Sequence, residues 1–234
     1  RMKSISLCSL IIFFLIQTAN AQDNMADLEG FYPLFNGTSL EGWRGYMKDH
    51  LPSRWKVEDG IIHFDPGAEG EGGDIVYEKE FSDFHLKLEW KIAEGGNSGI
   101  FYLGSEEFRA IYQTAPEMQV LDNERHPDAK LGKNNNRMAG SLYDLIPAIP
   151  QNSKKAGEWD SVEIIHKDGH VIHRMNGKQV VEYYTGTYAW KELVAGSKFP
   201  GLNPDWVDIA SEGYFGLQDH GDDVWFRNIK IREL

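Results

Sequence analysis

The residues of this chain that could do chemistry crowd into a few segments. In APEMQVLDNERHPDAK, residues 115–130, Glu117, Gln119 and Asp122 interrupt the apolar residues of a strand, and Arg125 and His126 follow at once. In GLQDHGDDVWFRNIKI, Gln218 and His220 precede Arg227 and Asn228. Asn97 stands in GGNSGIFYLG, Tyr143 and Asp144 in GSLYDL, Lys198 in a long irregular stretch, and Glu89 in an alternating strand. Histidine titrates near neutrality and serves as a general base. A carboxylate does so once desolvation raises its proton affinity, or else ligates a metal. Arginine, lysine or a divalent metal stabilises a developing oxyanion.

Each segment also has a structural reading. A buried Gln or Asn satisfies backbone at a strand end, and a buried Arg pairs with a carboxylate. Taken together that reading weakens, because one face bearing Glu117, Gln119, His220 and Arg227 would be desolvated for no gain. The expectation is one pocket lined by Glu117, Gln119, Asp122, His126, Tyr143, Gln218, His220 and Arg227, with Glu89, Asn97 and Lys198 as further substrate-binding candidates.

Strands must position these groups. DFHLKLEWKI, residues 83–92, alternates cleanly, with Phe84, Leu86, Leu88, Trp90 and Ile92 on one face. Residues 160–184 read as three strands with turns at Asp168-Gly169 and Asn176-Gly177, the Asn-Gly pair being a strong type I′ hairpin signal. Gly60 marks an early hairpin, and a final one is expected to turn near Gly221-Asp222. In EMQVL, Glu117, Gln119 and Leu121 share one face and Met118 and Val120 the other; Asp122 falls with Met118 unless a bulge re-aims it. Helix signals are scarce, with YAWKELV, residues 188–194, a short helix or turn. Two long irregular stretches, 123–141 and 186–211, are of the kind that carry function. The pattern predicts an all-β fold, an antiparallel two-sheet β-sandwich of jelly-roll type.

The chain has 234 residues and a net charge of −12, which argues against nucleic acid or an anionic membrane as partner through a broad basic patch. Arg1 and Lys3, an apolar run from Leu7 to Ile16 and the small-residue site Ala19–Ala21 read as a secretory signal peptide over residues 1–21. A lead-in, 22–30, and a single domain, 31–234, follow. The apolar run is too short to span a bilayer comfortably, so no membrane span is expected in the mature chain. Cys8, the one cysteine, falls inside the leader, so the mature chain holds no disulfide and no thiolate site. Export without disulfides suits a bacterial envelope, periplasmic or secreted.

Together, FYPLFNGTSLEGW, WKVEDGII, FSDFHLKLEWKIAEGGNSGIFY, EMQVLDNERHPDA, AGSLYDL, GEWDSVEI, MNGKQVVEY and GYFGLQDHGDDVWFRNIKIREL fall in an order seen in one family. The chain resembles the secreted bacterial 3-keto-disaccharide hydrolases, formerly a domain of unknown function, from about Phe31 to Leu234. The resemblance implies a concanavalin A-like lectin/glucanase jelly roll, a carbohydrate partner, and cleavage of glycosides oxidised to a ketone at sugar C3. A C3 ketone acidifies the C2 proton, so a base removes it, the C1 group leaves by elimination, and water adds afterwards. His126 and His220 are candidate bases, as are Glu117 and Asp122 if desolvated, with Arg227 and Lys198 to polarise the carbonyl. For a divalent metal, Glu117, Asp122 and His220 are the candidate ligands. Two other classes compete. One is a retaining glycosidase of laminarinase type, which needs two carboxyls roughly 5–5.5 Å apart. The other is a lectin-like module that binds sugar without turnover.

Overall fold

The computed structural model describes residues 26–234; the expected leader, residues 1–21, lies outside them. Thirteen strands occur in these residues: β1 (Tyr32–Pro33), β2 (Trp43–Gly45), β3 (Trp55–Glu58), β4 (Ile61–Phe64), β5 (Ile75–Phe81), β6 (Phe84–Ile92), β7 (Asn97–Gly104), β8 (Glu117–Leu121), β9 (Asp160–Lys167), β10 (His170–Met175), β11 (Lys178–Tyr184), β12 (Gly213–Leu217) and β13 (Val224–Glu233). They form two antiparallel sheets. The larger runs β11-β10-β9-β6-β13-β4-β3, with β1 also on β13; the smaller runs β2-β5-β12-β7-β8.

Alternation builds the core between them. Along β6 the five odd-register apolar residues, Phe84 to Ile92, are buried while the polar residues between them are partly exposed. Phe226, Ile229 and Ile231 of β13 join them. The smaller sheet answers with Ile100 and Tyr102 of β7, Met118 and Val120 of β8, and Phe215 and Leu217 of β12. The β10–β11 turn has Asn176 and Gly177 both at positive φ, 50° and 77°, as a type I′ turn requires. Asp168-Gly169 and Asp59-Gly60 make the corresponding turns of β9–β10 and β3–β4.

The expected last hairpin is not one. β12 pairs with β5 and β7, whereas β13 pairs with β4 and β6, so residues 218–223 cross from one sheet to the other. A Gly-Asp turn signal is local and does not choose the partner strand.

The two irregular stretches cover the outward face of the smaller sheet. Residues 139–143 run along the free edge of β8: Gly140 N donates to Gln119 O, Gln119 N to Ser141 O, and Tyr143 N to Glu117 O. The second stretch holds the one α-helix of the described residues, α1 (Tyr188–Ala195), whose N-cap Thr187 accepts from Trp190 N at 3.2 Å. Beyond it Phe199 stacks on Trp206, ring centroids 3.9 Å apart. Trp206 Nε1 and Asn203 Nδ2 donate to the carbonyls of Tyr112 and Gln113, tying this stretch to the loop before β8.

Candidate active site

Polar residues survive on the smaller sheet's outward face because these loops close over it. Asn97, Gln119 and Glu117 project there from β7 and β8, and Gln218 from the end of β12. With Tyr112, Tyr143, Lys198, Phe199 and His220 they line a cleft of about 160 Å³. Gln218 is fixed through its backbone: its N–H donates to Gly99 O at 3.0 Å and its carbonyl accepts from Ser98 Oγ at 2.8 Å.

Glu117 is the unusual group. Burial pushes its carboxyl up to about 8; nearby Lys198 pulls the other way, and Asp74 and Asp128 add to the rise. Lys198 stands opposite. Its residue is exposed overall, but its Nζ folds over the Tyr143 ring at 4.2 Å and donates to Tyr143 Oη at 3.1 Å. Burial lowers its proton affinity, partly offset by the acidic groups around it. Tyr143 Oη in turn donates to Asp128 Oδ2 at 2.9 Å, and Arg137 holds Asp128 at 2.8 Å and Asp144 at 2.6 Å. The chain from Lys198 through Tyr143 and Asp128 to Arg137 thus fixes the hydroxyl and ammonium facing Glu117's cleft.

Of the expected pocket residues, Glu117, Gln119, Tyr143, Gln218 and His220 come together, and Asn97 and Lys198 join them. Three do not. Asp122 turns away from the cleft: Oδ2 accepts from Gly95 N at 2.7 Å and Oδ1 from Glu124 N at 3.0 Å. Burial raises its carboxyl, but these amides and Arg125 outweigh that and leave it lowered. Arg227 and Glu89 face each other across β13 and β6 and form an ion pair on the outer face of the larger sheet, with Arg227 over the Trp159 ring. Alternation along a strand shows which residues share a face but not which sheet the strand joins. His126 sits beside the cleft, its ring 6.1 Å from that of His220, and its Nδ1 accepts from Asp128 N at 3.1 Å, capping the 3-10 turn Pro127–Lys130. Tyr112 and Phe199 were not expected; both come from loops, where no periodicity marks a facing residue.

Metal ligation gathers differently from expectation. His126, His220 and Asp222 each offer a ligand atom within 4.8 Å of one another, whereas Glu117 and Asp122 stand outside this group. Two of these three groups are already engaged with backbone. His126 Nδ1 already accepts the Asp128 amide, which leaves the proton on Nε2 of the neutral ring, and Asp222 Oδ2 accepts Asn97 N at 3.0 Å. Nor does the cleft hold a retaining enzyme's paired acids on β8, since both Asp122 oxygens are bound to backbone.

Comparison with known proteins agrees with this architecture. A Bacteroides thetaiotaomicron protein named 3-keto-disaccharide hydrolase is 45% identical, over 89% of this chain and 80% of that protein. A solved Parabacteroides distasonis protein, assigned provisionally to the glycosyl hydrolases, superposes with a TM-score of 0.80 at 31% identity over 90% of this chain and 99% of its own. A Bacillus subtilis protein with a galectin-like fold, 14% identical, covers 87% of this chain and 94% of its own with a TM-score of 0.54, which concerns the fold alone. Residues 30–232 match the family described as the 3-keto-alpha-glucoside-1,2-lyase-like domain, and the chain belongs to that family.

Proposed function

We propose that this protein cleaves glycosides whose C3 has been oxidised to a ketone, with Glu117 as the base that removes the C2 proton. Membership of this family and the 45% identity to the Bacteroides hydrolase make the chain a glycoside-cleaving enzyme. The observation that carries the finer reading is the buried Glu117 carboxyl, raised to about 8, across one cleft from an ammonium and a phenol. A carboxylate that binds protons this well is a competent base for a carbon acid near neutral pH. As the C2–H bond breaks, its electron pair moves into the C2–C3 bond and the C3 oxygen becomes an enolate. Lys198 Nζ is the donor for that oxygen; Tyr143 Oη accepts from Lys198 and gives its own proton to Asp128, so it positions the ammonium. The enolate then re-forms the ketone, a C1–C2 double bond appears and the C1–O bond breaks. His220 on the cleft wall is the group for the proton the leaving oxygen takes up. Water adds across C1–C2 to finish the hydrolysis. These steps are not routed through a metal; to ligate a cation, His126 would have to give up either the Asp128 amide at Nδ1 or the proton on Nε2.

In this reading the leader at residues 1–21 directs export, so the substrate is met in the periplasm or outside the cell; the N-terminal sequence of the exported protein tests the cleavage site. The activity is tested with a 3-keto-disaccharide and its unoxidised parent, with and without chelator. Sugar release from the ketone alone, insensitive to chelator, is the expected result. Turnover of the parent would return an ordinary glycosidase, and binding of both without turnover would return a lectin-like module.

A further inference from the structure

Three carboxamide oxygens in the cleft have no donor within the protein. Asn97 Oδ1, Gln119 Oε1 and Gln218 Oε1 are each buried without a hydrogen-bond partner. The three residues are 4%, 1% and 9% exposed and all line the cleft. Two of the nitrogen ends are engaged, which fixes which end of each amide faces the cleft: Gln119 Nε2 donates to Arg137 O at 3.3 Å, and Asn97 Nδ2 lies 3.4 Å from His220 Nε2. A buried acceptor left without a donor costs folding free energy, so three in one place indicate donors supplied from outside.

We propose that Asn97, Gln119 and Gln218 form a rack of acceptors that reads the hydroxyl groups of a neutral pyranose ring, independently of the ketone. The inference rests on the reading above for the ligand's being a sugar. The chemistry narrows the class further. Carbonyl oxygens accept only from hydroxyls, N–H groups or cations. A cation meets the Lys198 ammonium in the same cleft. An anionic sugar acid is attracted by Lys198 but meets three carboxamide oxygens that repel it. A neutral, hydroxyl-rich ring satisfies all three. Affinity then resides in the amides and turnover in Glu117 and Lys198, so an unoxidised glycoside is a competitive ligand and ring-deoxy analogues bind less well.

The test uses methyl α-glucopyranoside, which lacks the ketone and is inert to the elimination. Its binding to the full protein is measured by titration calorimetry for wild type, Gln218→Met and Asn97→Leu, alongside 2-deoxy and 4-deoxy analogues and thermal unfolding. Wild type is expected to bind the glucoside; each variant should bind it about tenfold or more weakly while melting at or above the wild-type temperature, because an orphaned acceptor has been removed. A fall in melting temperature with unchanged affinity would assign the amides a structural role and overturn the proposal, as would failure of wild type to bind the glucoside. Glucoside binding without turnover of the 3-keto sugar sinks the proposed activity and leaves the rack standing; turnover with unaltered binding in the variants does the reverse.

Discussion

Gly99 and Glu117 lie diagonally on β7 and β8 at a point where only a hydrogen atom fits: a Cβ at residue 99 would overlap the Glu117 carboxyl. Residue 99 therefore decides where that carboxyl can sit. Its φ is not in the left-handed region, so the need for glycine is steric. Gly99→Ala should fold, since the strand conformation suits alanine, but displace Glu117 and reduce kcat by about 10²-fold, as misplaced catalytic groups do. Steady-state kinetics with melting temperature checks this; a variant that melts normally and turns over normally would show that the carboxyl's position does not matter.

The raised Glu117 carboxyl makes two linked predictions about pH. As base it acts deprotonated, so kcat/KM should rise with pH through about 8, and Glu117→Gln should be inactive throughout. The sign for stability is opposite. In the unfolded chain this glutamate titrates near 4.5, so between there and about 8 only the folded state keeps the proton. Its contribution is full below the unfolded value and is lost as pH rises through the folded one. Glu117→Gln removes that loss, so its melting temperature should exceed wild type's by a margin that grows from about pH 4.5 to 8. Each 1 kcal/mol gained shifts melting by about 2–4 °C in a domain of this size.

Lys198 and Tyr143 divide one task unequally. Lys198→Met removes the proposed charged donor to the enolate oxygen and should lower kcat by about 10²–10³, the effect typical of deleting an oxyanion donor. Tyr143→Phe leaves Lys198 in the cleft but frees it from its 3.1 Å contact, so a smaller loss is expected. Exchange of the C2 proton with deuterated solvent separates the two roles from binding: both variants should slow it, Lys198→Met more, with KM little changed.

The two histidines should separate as well. His126 caps the turn Pro127–Lys130 through Nδ1, so His126→Ala should cost about 1 kcal/mol of stability, as loss of an N-cap does. His220 lines the cleft, its one side-chain hydrogen bond being the long one to Asn97, and His220→Ala should lower kcat at nearly unchanged melting temperature. Reversal of this pattern would move the proton-transfer role to His126.

Much of this site was legible because strands keep a period of two. EMQVL places Met118 and Val120 in the core and Glu117 and Gln119 on the opposite face, as alternation requires. The Asn176-Gly177 turn was legible because its backbone demands positive φ at both residues. Asp122 was misread because its carboxyl closes a loop on backbone amides, a local role that a pattern of acids does not distinguish from catalysis. Tyr112 and Phe199 escaped because tertiary bonds from Trp206 and Asn203 place them, and such bonds leave no trace in spacing.

Arg227 supplies the sharpest control, because the sequence makes it a candidate and the fold removes it from the site. It pairs with Glu89 and packs its guanidinium 4.0 Å over the Trp159 ring, on the outer face of the sheet that does not carry the cleft. Both side chains are about one-third exposed, so the pair is solvated and its rupture costs little: about 0.2–1 kcal/mol for the ion pair and a similar amount for the aromatic contact. Arg227→Ala should therefore lower the melting temperature by a few degrees while leaving kcat and KM for the 3-keto substrate unchanged. Glu89→Ala should behave alike, and the double variant should lose less stability than the sum of the two, since one interaction is removed by either. A loss of kcat in Arg227→Ala at intact stability would return it to the catalytic machinery and require the reacting sugar to lie elsewhere than the Glu117 cleft.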